Sequence, residues 1–155
     1  MPVFVDTNVL VYRHDSSDPV KQARADDWYV YLWRKRAGRL SVQVLQELYS
    51  VLTRKLEPGM EAPEARRIVR ALGAWLPLSI DLPMIERAWM LEQRSSLSWW
   101  DALIVAAAQS SECEVLLTED LQDGQKFGQV RVVNPFASAD RRPEEVLESL
   151  EPGRR

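Results

Sequence analysis

The chain has 155 residues, of which 46% are hydrophobic and 28% charged, and a net charge of −3. That is the balance of one soluble globular domain, long enough for its own core and too short for two. One cysteine, Cys113, and one histidine, His14, exclude a disulfide framework, a cysteine-rich or two-histidine zinc site and an HExxH helix; a Ser-His-Asp triad would depend on His14 alone without a GxSxG elbow, so any catalysis falls to carboxylates.

The opening MPVFVDTN puts no basic stretch ahead of an apolar one, and no later run approaches the roughly 18 apolar residues that span a bilayer, so the expected compartment is the cytoplasm. Val3-Phe4-Val5 reads as a buried strand ending at Asp6, followed by a helical segment from Asn8 to Tyr12. Asp18-Pro19 offers an N-cap with proline in the first turn, opening a helix that runs to about Ala37 and stops at Gly38. Leu40 to Val42 is the second strand candidate. From Gln43 to Leu56, residues Val44, Leu45, Leu48, Val51 and Leu52 form one apolar stripe, ended by Glu57-Pro58-Gly59. A further helix runs from Pro63 to Gly73 with Ile68, Val69 and Leu72 inward and its arginines outward. Leu76 to Ile80 is an edge or irregular strand because of Pro77.

Asp81 and Pro83 repeat the cap-plus-proline start for a helix to Arg94, and the helix from Trp99 to Ser111 follows. Val115-Leu116-Leu117 and Val130 to Val133 read as the remaining strands. Strands alternating with helices predict an α/β domain with a mostly parallel sheet covered on both faces. The expected division is a domain over residues 1–136 and a polar tail over 137–155 that is frayed or a short helical appendage. Trp28 and Trp33 on one helix could form a partner or dimer surface but suit plain packing better, and the tryptophans in general suit packing better than stacking on bases.

In such a sheet the functional crevice lies beyond the carboxyl ends of the strands. Asp6 and Asp120 each follow a strand, Glu47 flanks the apolar stripe of its helix, and Asp101 lies in a first helical turn. Four converging carboxylates repel each other unless a cation intervenes. Oxygen-only ligation suits Mg²⁺ or Mn²⁺, and such ions can activate water for attack on a phosphodiester. Ser41 and Thr118 are candidates to orient the carboxylates. Each acid also has a structural reading: Ser98-x-x-Asp101 matches a capping box, Asp6 with Asn8 a turn, Glu47 a solvated helix position, and Thr118-Glu119-Asp120 a cap before Gly124. The net charge is wrong for a nucleic-acid binder, but basic residues concentrate between Arg34 and Arg70 and leave a local phosphate-binding surface open.

Val5-Asp6-Thr7-Asn8-Val9-Leu10, Ser41-Val42-Gln43 with Glu47, Asp101 to Ala108, Leu117-Thr118-Glu119-Asp120 and the closing Val133-Asn134-Pro135-Phe136 occur in the order and spacing of the PIN domain. The chain resembles its prokaryotic VapC-type branch most, over Val3 to Phe136. The resemblance implies a Rossmann-like α/β/α sandwich on a sheet of four or five strands, and Mg²⁺- or Mn²⁺-dependent cleavage of RNA. By the same resemblance Asp6, Glu47, Asp101 and Asp120 match the family's acidic quartet, Asn8 and Thr118 its supporting polar positions, and Asp123 a further, variable acid. VapC-type members are toxins held by a small antitoxin whose C-terminal segment lies in or beside the active site, and they are usually homodimers. The polar tail and the arginine-rich helix near Arg66 depart from the shortest members. Two rival readings stand beside this one. A non-catalytic PIN-like module would bind RNA or protein. A phosphatase-like enzyme would use Asp6 as nucleophile, though Asn8 stands where haloacid-dehalogenase-like enzymes usually carry a second aspartate.

Overall fold

The computed structural model describes residues 1–153, and five short strands run through it: β1 (Val3–Val5), β2 (Gly38–Arg39), β3 (Val115–Leu117), β4 (Lys126–Phe127) and β5 (Val130–Val133). They form one sheet in the order β2-β1-β3-β5-β4, parallel except for β4, which pairs antiparallel with β5. The helices flanking it are α1 (Thr7–Tyr12), α2 (Pro19–Lys35), α3 (Val42–Arg54), α4 (Ala62–Ala71), α5 (Leu82–Ser95), α6 (Trp99–Ser110) and α7 (Pro143–Glu148), with a 3₁₀ turn over Leu72–Trp75. This is the expected α/β fold with a mostly parallel sheet, and no helix among the described residues is long and apolar enough to cross a membrane.

The central strands β1 and β3 are buried on both faces, which is why they read as unbroken apolar runs rather than alternating ones. Helix α6 is apolar through its length, with every residue from Ala102 to Ala108 buried. Helix α3 turns Val44, Leu48 and Leu52 into the same core, and its cap is Ser41, whose hydroxyl accepts from the Val44 amide at 3.4 Å. That cap displaces the second strand from its expected place at Leu40 to Val42. The strand lies at Gly38–Arg39, Ser41 keeps a single bridge to Leu78, and Val42 already belongs to α3.

Gly38 therefore does not stop α2. Arg36 does so in a left-handed conformation (φ 53°), its amide bonding to the carbonyls of Leu32 and Trp33. Gly38 is needed for close packing, since a Cβ there would lie 2.5 Å from the Trp75 indole. The same aromatic cluster favours plain packing, the expected reading, over a Trp28–Trp33 partner surface. Trp28 is fully buried, and half-buried Trp33 packs against Tyr29 and Trp75 with ring centroids 6.1 and 5.5 Å apart.

Ile68 and Val69 on α4 are only half-buried, whereas Ala65 and Leu72 carry that contact into the core. Leu76 to Ile80 forms no strand beyond the Ser41–Leu78 bridge. The tail is docked rather than frayed: Pro143, Val146 and Leu147 of α7 are buried, Arg34 pairs with Glu144, and buried Arg24 donates to the Pro135 and Ser138 carbonyls at 2.6 and 2.8 Å. Arg154 and Arg155, the end of that tail, lie outside the described residues.

Candidate active site

Because β1, β3 and β5 are parallel, their carboxyl ends share one edge of the sheet, and the chain leaves that edge carrying polar residues. The ladder continues one step past the strands: the Asp6 amide donates to the Leu117 carbonyl at 3.0 Å, and the Thr118 amide to that of Val133 at 3.1 Å. Asp6 and Thr118 are thereby set side by side. The Thr118 hydroxyl donates to Asp6 Oδ2 at 2.9 Å, and Asn8 Nδ2 donates to the same oxygen at 3.3 Å. Asp6 Oδ1 accepts from the Thr7 amide at 2.7 Å, capping α1. With both oxygens engaged and only 6% of the residue exposed, Asp6 is poorly placed for the phosphatase-like nucleophile role.

Asn8 joins the second acid to the first, since its Nδ2 also reaches Asp120 Oδ2 at 3.0 Å and Thr118 Oγ1 at 3.1 Å. Glu47 is fixed from two sides: the Thr7 hydroxyl donates to its Oε2 at 2.7 Å and Gln43 Nε2 to its Oε1 at 3.0 Å. Asp101 settles the capping question for α6. Ser98 is the cap, its hydroxyl accepting from the Asp101 amide at 3.2 Å, but no return bond from the Ser98 amide to the Asp101 carboxylate exists among the described residues. The carboxylate does not complete the box, and the group that steadies its charge is the Ser98 hydroxyl.

Electrostatics tie the four acids together. Burial pushes the Asp6 carboxyl up to about 7; the bonds from Thr118 and Thr7 oppose that rise, and repulsion from Asp120 and Glu47 adds to it. Asp101 is raised as well, by burial first and then by the same two neighbours, against the Ser98 hydroxyl. Asp120 and Glu47 thus lie close enough to both Asp6 and Asp101 to act on each of them. The remaining candidates fall elsewhere. Ser41 spends its hydroxyl on the α3 cap and orients no carboxylate among the described residues. Asp123 is exposed and accepts from the Asn134 amide at 2.8 Å.

The donor set is hard and all-oxygen, which suits Mg²⁺ or Mn²⁺ better than zinc. Burial raises Asp6 and Asp101 most, and the repulsion from Asp120 and Glu47 that adds to it is what a divalent cation would relieve. It is not a preassembled cage: among the described residues, no group of three acids, histidines or cysteines is gathered closely enough to hold an ion as it stands.

Sequence reasoning missed several contacts at this edge. Gln43 precedes Glu47 by four residues on one helix face, a spacing that could have signalled the bond. Thr7 beside Asp6 carried no such signal. Nor did Lys21, whose Nζ donates to Glu119 Oε2 at 2.8 Å and to the Tyr12 hydroxyl at 3.3 Å, holding this additional acid by an ion pair. Of the basic residues between Arg34 and Arg70, Lys55 lines the cleft that opens beside Glu47. That cleft, about 780 Å³, is bounded by Thr7, Asn8, Tyr12, Gln43 and Trp100 as well.

A family model for the PIN domain matches residues 3–126. No curated protein sequence matches the chain. Among solved structures it is similar to a toxin-antitoxin complex from Klebsiella pneumoniae, with TM-score 0.60 and 22% identity over 87% of this chain and 98% of that one. It is also similar to the sarcin-ricin loop cleaving toxin VapC20 of Mycobacterium tuberculosis, with TM-score 0.59 and 22% identity over 83% and 98%. A third is VapBC2 from Rickettsia felis bound to a promoter DNA fragment, with TM-score 0.60 and 15% identity over 86% and 98%. At these identities the likeness is one of fold.

Proposed function

The chain belongs to the PIN-domain family, and from that membership and its acidic set we propose that it is a Mg²⁺- or Mn²⁺-dependent endoribonuclease. The observation that carries the reading is the gathering of acids at the carboxyl edge of a parallel sheet, where Thr118 and Asn8 join Asp6 to Asp120, Thr7 joins Glu47 to the same edge, and Asp101 lies within reach of Asp120 and Glu47. These four residues would hold the cation. When bound, such an ion makes a water more acidic and offsets charge on the phosphate.

The chain's own residues supply position. Thr118, Asn8 and the Thr7 amide fix the direction of Asp6, Thr7 and Gln43 fix Glu47, and Asn8 ties Asp120 to the same cluster. Hydrolysis forms one bond from water oxygen to phosphorus and breaks one ester bond in line. Lys55, which lines the cleft beside Glu47, would meet a backbone phosphate.

The biological role we propose is the toxin of a type II toxin-antitoxin pair, acting in the cytoplasm as a homodimer until a small antitoxin binds. Its support is the fold shared with toxins of that kind. RNA cleavage assayed with Mg²⁺ or Mn²⁺, with EDTA, and in Asp6→Asn and Asp101→Asn variants tests the chemistry. Cleavage is expected only for the wild type with metal, and activity that survives EDTA or both substitutions sinks the mechanism.

A further inference from the structure

Immediately before Asp101, at the start of α6, Trp100 is 63% exposed and lines the cleft that holds Glu47. An exposed indole is costly to leave in water, and a stacking partner removes that cost. Trp99, its neighbour, already has one, lying 6.4 Å from Trp89 in a stacked arrangement, whereas no aromatic ring pairs with Trp100 among the described residues. The rest of the cleft continues this character: Val11, Val51 and Leu56 make its apolar wall, and Tyr12 adds a second ring. Gln43 also lines the cleft, its Nε2 held by Glu47.

Charge narrows the occupant. Asp15, Glu47 and Glu119 face this space with Lys55 as the cation of the lining, so an anionic group is repelled from most of it while a neutral planar one is not. A strand whose phosphate lies among the four acids must place a flanking base on adjoining surface, and the exposed ring adjoining Asp101 is Trp100.

We propose that Trp100 and the cleft beside it form a nucleobase subsite that stacks a base next to the scissile phosphate, an inference that rests on the ribonuclease reading. Stacking on an aromatic side chain is tolerant of base identity, so the subsite positions the strand without dictating sequence. Lys55 then receives the phosphate beyond that base.

Fluorescence anisotropy with a labelled ten-nucleotide oligoribonucleotide and an abasic oligomer of equal length, in Ca²⁺, tests it. Wild type is expected to bind the base-bearing strand roughly tenfold or more tightly than the abasic one. Trp100→Ala should lose that advantage and bind the abasic strand as wild type does, while Trp100→Phe keeps most of it. Because Trp100 is exposed, both variants should match the wild type in thermal unfolding. Equal binding of the base-bearing strand by wild type and Trp100→Ala overturns the subsite, as does an equal loss on both strands or no binding of either strand by wild type. Failure of the nuclease reading would show separately, as wild type that binds RNA through Trp100 but cleaves none with Mg²⁺ or Mn²⁺.

Discussion

Asp6 is buried beside two acids of like charge, and its carboxyl keeps a proton up to about 7 in the fold against 3.8 in an unfolded chain. Between those values the folded state binds a proton that the unfolded state has lost, so the contribution of this group to stability falls as pH rises from about 4 to 7 and stays lost above. A shift of about three units corresponds to something on the order of 4 kcal/mol. Urea unfolding in EDTA across that range should therefore show wild type losing stability with pH relative to Asp6→Asn; parallel curves for the two proteins would show that the burial cost is not concentrated at Asp6. At this scale the sequence was informative where a side chain simply follows the end of a strand, as Asp6, Thr118 and Asp120 do, because the parallel sheet alone brings them to one edge. It was silent where position depends on packing across the chain. The Thr7 bond to Glu47 and the Lys21 bond to Glu119 join residues from different helices and loops, and no local pattern encodes them.

Helix α6 shows at the level of an element how one turn serves two purposes. Ser98 satisfies an amide of the first turn, and Asp101 adds an acid where the helix dipole welcomes it, yet its carboxyl is still raised by burial and by Asp120 and Glu47. The two residues should consequently fail in opposite ways. Ser98→Ala is expected to lower stability by about 0.5 to 2 kcal/mol and leave metal-dependent cleavage largely intact. Asp101→Asn should abolish cleavage while leaving the metal-free protein as stable as wild type at neutral pH, or more so. Denaturation midpoints and initial cleavage rates on both variants decide this; a stable but inactive Ser98→Ala would merge the roles that the structure separates. Element recognition followed the same physics. The strands β1, β3 and β5 are apolar runs buried by parallel neighbours and could be read directly. Strands β2 and β4 are two residues long, with too little sequence to carry a period, and the place of β2 is set by the contact of Gly38 with Trp75 and by the Ser41 cap.

For the molecule as a whole, the open point is what the segment after Phe136 does for a domain whose chemistry lies before it. Its composition is polar, and polarity alone suggested an appendage; the adjacent Val146 and Leu147, with Leu150 three residues on, are too few to form a long apolar stripe, so their packing against the domain was not read. Arg24 makes the attachment specific, since a guanidinium only 4% exposed would be costly without the Pro135 and Ser138 carbonyls that it meets. The attachment also begins close to the site: the Phe136 ring lies edge-on to Tyr12 at 5.1 Å and under the Lys21 ammonium that holds Glu119. Beyond Phe136, however, no tail residue among the described ones lines the acidic cleft. A chain ending at Phe136 should thus lose stability, on the order of 3 kcal/mol from the uncovered aliphatic groups less the ordering entropy saved, and leave Arg24 short of its Ser138 partner. The cleavage rate per folded molecule should be unchanged, because Phe136, Lys21 and the four acids remain. Thermal unfolding together with active-fraction-corrected rates reads the two effects apart: a stable truncation would make the docking of α7 incidental, and a folded but inactive one would place part of the site in the tail.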